Sequence, residues 1–182
     1  MKNFLAIVTV LFITTLSTKQ LTAQANKLHT ASINFGPEVF VPENFSPTHK
    51  VGGGLSFKTE YTFGKHASTT FNTGVTFMKG KRKFDNFTSP VDNFYKDIVA
   101  IPLKLGGRYY IGNFYFLGEV GAIVMTNYSS GTKAAFSAGL GDKINIGRQK
   151  FDVSARQEIW IGRNNEQYTM AVLRVAYELT FR

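Results

Sequence analysis

No cysteine occurs anywhere in the chain. In an exported protein this excludes a disulfide scaffold, a thiolate nucleophile and a thiolate metal site, so stability has to come from another device such as closure of a sheet. Histidine is nearly as scarce, with three in all. His29, His49 and His66 are scattered over a strand, a loop and a turn, and no spacing among them suggests a zinc site. Long hydrophobic runs are missing too. No stretch approaches the roughly 18 apolar residues a membrane-spanning helix needs, so any insertion into a bilayer must use strands. Acidic residues are outnumbered, 12 against 21 Lys and Arg, giving a formal charge of +9. Such a balance often marks nucleic-acid binding. In an exported chain, anionic lipid head groups are the expected counterpart and nucleic acid is not.

Export itself is read from the first residues. Lys2 and Asn3 precede the apolar run from Phe4 to Ile13, a polar stretch follows, and Ala23-Gln24-Ala25 closes the segment. This is the pattern of a secretory signal peptide cleaved after Ala25. The run is too short to remain as a spanning anchor in a hydrocarbon core of about 30 Å. Residues 1–25 are therefore expected to be a leader and residues 26–182 a single domain.

What the chain has in quantity is glycine and aromatics, 17 Gly, 17 Phe and 8 Tyr, arranged with a period of two. The clearest case is Tyr168 to Phe181, where Ala171, Leu173, Val175, Tyr177, Leu179 and Phe181 alternate with Arg174 and Glu178. Successive side chains leave opposite faces of a strand, so this is an extended segment with one apolar face. Seven more segments alternate in the same way: Leu28 to Val41, Val51 to Phe63, Thr69 to Lys79, Asp97 to Tyr110, Phe114 to Thr126, Ala134 to Ile144 and Lys150 to Ile161. The fifth is the least regular, because Leu117 and Ile123 blur its polar face.

Connections alternate as well. Gly64 to Ser68, Ile111 to Asn113 and Asn145 to Gln149 are short and carry Gly or Asn, whereas Pro42 to Lys50, Gly80 to Lys96, Asn127 to Lys133 and Gly162 to Gln167 are generally longer. Short turns at one end and long loops at the other are the layout of outer-membrane barrels with an even strand number. The expected fold is all-β, an eight-stranded antiparallel transmembrane β-barrel. A soluble barrel would show the same period with its apolar face inward, but eight strands enclose only enough room for packed side chains. Phe57, Tyr61, Phe63, Phe71, Phe77, Tyr109, Phe116, Phe136, Phe151, Tyr177 and Phe181 would not all fit there. The glycines and the charges are therefore expected inside.

The inner set comprises Lys58, Lys104, Arg108, Arg156 and Arg174 with Glu60, Glu119, Asp152, Glu158 and Glu178. Buried charges are costly unless paired, so this balance points to a lumen charge network that plugs the barrel. Aromatics near strand ends suggest two interfacial girdles: Tyr61, Phe63, Tyr109, Tyr110, Phe114, Tyr115, Phe116, Tyr177 and Phe181 toward the periplasm, and Phe40, Phe77, Tyr128, Trp160 and Tyr168 outside.

Signal peptide, Lys96 to Gly112 (KDIVAIPLKLGGRYYIG) and the closing strand together resemble the eight-stranded outer-membrane barrel family of Bacteroidota, the PorT-like and OmpX-like group. The carrying residues are Ile101, Pro102, Leu103, Tyr109 and Tyr110. The resemblance implies residence in the cell outer membrane and recognition of the closing aromatic, here Phe181 before Arg182, by the barrel assembly machinery.

Searching for chemistry yields little. Ser46 and His49 with Glu43 or Glu38 could form a hydrolytic triad of the kind lipid A-modifying barrel enzymes use, although all are ordinary loop constituents. Gly52-Gly53-Gly54 lacks the Lys and Ser or Thr of a phosphate loop and reads as barrel curvature. Lys79, Lys81, Arg82 and Lys83, followed by Phe84 and Phe87, could hold lipopolysaccharide phosphates at the membrane surface. No catalytic, metal or cofactor site is assigned. The expected role is structural or interactive, the outer loops meeting lipopolysaccharide or a protein partner. The alternatives are a small-solute or secretion-linked channel component and a lipid A-modifying barrel enzyme.

Overall fold

The computed structural model describes residues 29–82, 94–126, 131–162 and 166–181. The expected signal peptide, Lys83, Phe84, Phe87, Tyr128 and Arg182 lie outside them. Eight strands are present: β1 His29–Pro42, β2 Gly52–Phe63, β3 Ala67–Met78, β4 Ile98–Ile111, β5 Phe114–Met125, β6 Thr132–Ile146, β7 Gln149–Ile161 and β8 Gln167–Phe181. They pair in sequence order and close into a barrel, β8 returning antiparallel to β1 from Ala31↔Phe181 to Pro42↔Met170. Closure removes the free sheet edges that would otherwise need covering. Strand boundaries differ from the alternation by a residue or two. β6 and β7 extend to Ile146 and Gln149, so the turn between them shrinks to Gly147 and Arg148.

That turn, with those at Gly64 and Gly112, defines one end of the barrel, the turn end. Gly64, Gly112 and Gly147 have φ of 84°, 68° and 63°, a left-handed backbone that glycine adopts without a Cβ penalty. The longer connections, between β1 and β2, β3 and β4, β5 and β6, and β7 and β8, leave from and return to the other end, the loop end.

The barrel is inverted relative to a soluble protein. Leu55 and Leu105 are 68% and 64% exposed, while Lys58 and Arg174 inside the wall are 0% and 1% exposed. Small inward residues permit this curvature. A Cβ at Gly121 would run into the Leu103 carbonyl of the neighbouring strand, so a larger residue there would force the wall open. The register of β1 with β8 is the same on both sides of Gly36–Pro37, from Phe35↔Tyr177 to Glu38↔Arg174, yet the pairing lapses between them. The β3–β4 pairing lapses likewise beside Pro102, between Thr73↔Leu103 and Thr76↔Ala100. Proline has no N–H to give the ladder.

Five aromatics expected in the girdles face the lumen instead. Tyr110, Tyr115, Phe40 and Trp160 are buried, and Tyr168 packs against the inner apolar cluster. The reason is parity: Phe40 shares a face with Glu38, Trp160 with Glu158 and Tyr110 with Arg108, and proximity to a strand end does not override alternation. Tyr61, Phe63, Tyr109, Phe116 and Phe181 are exposed on the outside at the turn end, as is Phe77 toward the loop end.

Candidate functional site

From the turn end inward, the lumen holds one continuous chain of ion pairs in which the signs alternate. Glu178 lies 2.9 Å from Lys143, whose ammonium is 3.1 Å from Glu60. Glu60 meets Arg108 at 2.9 Å, and the same guanidinium nitrogen reaches Asp152 at 2.7 Å. Asp152 leads at 3.5 Å to Arg174, and Arg174 at 3.4 Å to Glu38. Glu38 and Arg156 form a two-pronged pair at 3.0 and 2.9 Å. Arg156 continues at 3.0 Å to Glu158, Glu158 at 2.8 Å to Lys104, and Lys104 at 3.4 Å to Glu119. Glu119 ends the chain on Lys58 at 2.6 Å.

The ten charges singled out in the sequence all lie in this chain, and two more complete it. Glu38 and Lys143 add one anion and one cation, so the balance is kept. Both were legible: Glu38 has the parity of Ser32 and Asn34, and Lys143 that of Gly139 and Gly141. Both fall inside alternating segments, Leu28 to Val41 and Ala134 to Ile144, although neither is among the ten.

Neutral groups add hydrogen bonds to several members of the chain. Ser68 and Tyr110 donate to Glu60, the former at 2.6 Å. Tyr115 donates to Asp152 at 2.5 Å, and its ring lies 4.2 Å under the Arg108 guanidinium. The Trp160 indole donates to Glu158 at 2.8 Å, while Arg174 donates to Ser56 Oγ at 2.7 Å and to the Asn34 carbonyl at 3.2 Å. Charges taken out of water cost several kcal/mol each unless paired and hydrogen-bonded, and here each interior member touches an opposite charge on either side. The carboxylates of Glu60, Asp152 and Glu178 come within 4.8 Å of one another. Arg108, Lys143 and Arg174 already neutralise them, which makes the cluster part of the ion chain and poor in attraction for a metal ion.

Toward the loop end the lumen changes character. Phe40, Met78, Ile98, Ile123, Trp160 and Met170 form an apolar cluster, and Phe45 from the 43–51 connection drops into it, edge-on to Tyr168 at 5.1 Å. Lys133 closes the side, its ammonium 4.8 Å over the Tyr168 ring and 2.7 Å from Glu166. His49 holds the connection down. It is buried, its Nε2 donates to the Lys96 carbonyl at 3.1 Å, and its Nδ1 shares a hydrogen bond with Thr48 Oγ1 at 2.8 Å. Burial pushes the imidazole below its ordinary pKa, partly offset by the Lys96 carbonyl and Asp97.

His49 is thus no solvated loop residue, and the residues of the suggested triad do not converge. Both of its ring nitrogens are engaged elsewhere, the Glu43 carboxylate accepts from Gln157 at 2.9 Å, and Glu38 belongs to the lumen. Lys79 to Arg82 of the basic run form the middle of a small extension of the wall. Lys50 N–H donates to the Lys79 carbonyl, Lys81 N–H to that of Thr48, and Tyr95 N–H to that of Lys81. Lys79 and Arg82 are exposed, Lys81 is half-buried with its ammonium 2.6 Å from the Ser46 carbonyl, and Gly80 between them is buried.

No family model matches the sequence, and no curated protein does. Solved structures do resemble it. The outer membrane protein Ail of Yersinia pestis, determined in a phospholipid bilayer nanodisc, shares 18% identity over 82% of this chain and 99% of its own, with a TM-score of 0.54. The outer membrane protein OprG from Pseudomonas aeruginosa shares 12% over 87% of this chain and 98% of its own, with a TM-score of 0.52. At such identities the likeness is one of fold.

Proposed function

We propose that the protein is an integral outer-membrane β-barrel, exported after loss of residues 1–25, that serves a structural or interaction role through its surface loops and performs no covalent chemistry. The observation that carries this reading is the inverted wall around an ion-paired lumen. Exposed leucines and aromatics are stable against hydrocarbon, and a self-neutralising interior needs no water-filled path. The resemblance in fold to Ail and OprG supports the same location. Within the outer membrane, the chain is assigned to the Bacteroidota PorT-like and OmpX-like group. The run Ile101-Pro102-Leu103 through Tyr109-Tyr110 into the turn at Gly112 supports that assignment.

In this orientation the turn end faces the periplasm and the loop end the cell exterior. Lys79, Lys81 and Arg82 then stand at the height of the outer head groups, where they meet lipopolysaccharide phosphates, while Lys83 of the same run lies outside the described residues. A protein partner would bind the same loops, and Phe181 serves as the closing signal for the barrel assembly machinery. The channel reading is disfavoured by the unbroken ion chain.

The test is fractionation combined with heat-modifiable migration. The protein should appear in the outer membrane and shift on boiling after detergent extraction. A soluble periplasmic product that does not shift would contradict the reading.

A further inference from the structure

On the outside of the wall, a depression of about 860 Å³ crosses β8, β1, β2 and β3. Its floor is a row of four small residues standing side by side. Gly36 pairs with Ser56 and Ser56 with Gly74, while Gly36 abuts Ala176. Inward side chains normally hold the wall away from the lumen contents. Here there is almost none to do so, and the neighbouring strands lie so close that a Cβ at Gly36 would run into the Val175 carbonyl, and one at Gly74 into the Leu55 carbonyl. Bulky outward residues rise on both sides of this row. Phe35, Phe57 and Tyr177 form the lip toward the turn end, and Leu55, Val75 and Val175 the lip toward the loop end. The aromatic lip is braced by edge-on contacts of Tyr177 with Phe35 at 5.9 Å and with Phe151 at 5.8 Å.

Resting on the membrane reading above, we infer that this depression is a binding site for one acyl chain of a phospholipid in the periplasmic leaflet. The lining selects the occupant. It is hydrocarbon almost throughout, and the Ser56 hydroxyl in its floor is spent inward on the Gly36 carbonyl and Arg174. An extended peptide would bring N–H and C=O groups that find no partner there. A second copy whose two-fold axis passes through the hollow would set it against itself and leave a void without dispersion contacts. A flexible hydrocarbon chain has no polar group to satisfy and can follow an uneven surface. The leaflet follows from the lips: the tyrosine, whose phenol prefers the interface, stands on the turn-end side.

A phospholipid with a photoreactive diazirine on its acyl chain, in nanodiscs holding the full-length barrel, tests the site by peptide mapping of the label. Label should concentrate several-fold on Phe35, Leu55 and Val75 over Phe116 and Val120 of β5. Val175→Trp, which fills the hollow from a lipid-facing position, should reduce the groove label to the β5 level. Val120→Trp, an equal enlargement on the opposite wall, should leave it unchanged. Label spread evenly around the girth, loss in both variants, persistence in Val175→Trp, or preferential labelling by a diazirine lipid A would each overturn the site. Heat-modifiable migration of every variant is read in parallel. A wild-type chain that never enters the nanodisc would instead refute the membrane reading itself.

Discussion

The two ends of one lumen are filled by opposite means. Near the turn end the large side chains, Leu117 excepted, are charged or hydrogen-bond to a charge, and near the loop end the interior is a small apolar core capped by Phe45. The ion chain is a matched set: each interior member serves two neighbours, so a loss is felt on both sides and most where solvent cannot reach. The apolar cap is graded, because dispersion contacts are many and individually weak. One barrel therefore combines a brittle interior with a forgiving one, and the boundary runs at Trp160, whose ring lies in the apolar cluster while its N–H binds Glu158.

Removal of an interior ion should have the largest effect. Arg108→Ala leaves Glu60 and Asp152 buried without their shared cation, and should cost about 3–5 kcal/mol, read as a lower urea midpoint for the heat-modifiable band. Phe45→Ala removes the stopper from the apolar end. It should cost about 2 kcal/mol, less than a core Phe because the loop end can collapse. It should also expose Trp160, the only tryptophan, to an aqueous quencher. A wall as destabilised as in Arg108→Ala would erase the distinction between the ends.

Lys143→Met probes the chain where it meets water, since this lysine side chain is 22% exposed. Solvent can replace part of what is lost, so the expected cost is about 1 kcal/mol. His49 gives a smaller, pH-dependent effect. Its pKa in the closed loop lies below the ordinary 6.5, so the closed form binds fewer protons than the open one. Its contribution is complete above that ordinary value and declines as pH falls through the interval down to the lowered one. Trp160 quenching should rise over that range in wild type and stay flat in His49→Gln. Smallest of all, Lys81→Ala should change stability by less than about 1 kcal/mol and show itself only as weaker retention of lipid A in a pull-down.

Much of this contrast was legible as alternation. A period of two marks all eight strands and puts the charges on the face opposite Leu173, Val175 and Phe181, because strand geometry leaves side chains no other choice. Parity would also have turned Phe40, Tyr110, Tyr115 and Trp160 inward, had it been preferred to position along the strand. The stopper was not legible. Phe45 and His49 find their places through Tyr168 and the Lys96 carbonyl, partners far away in sequence, and nothing local to 43–51 encodes that meeting. The hollow over Gly36, Ser56, Gly74 and Ala176 was hidden for a similar reason: only the register between strands aligns four small residues from separate segments.

Ion conductance of the purified wild-type barrel in a planar bilayer tests the closed, ion-paired lumen most directly. The barrel should insert without conductance steps, because an alternating chain at one end and an apolar cap at the other leave no hydrated path. Sustained single-channel openings from the native protein would contradict it.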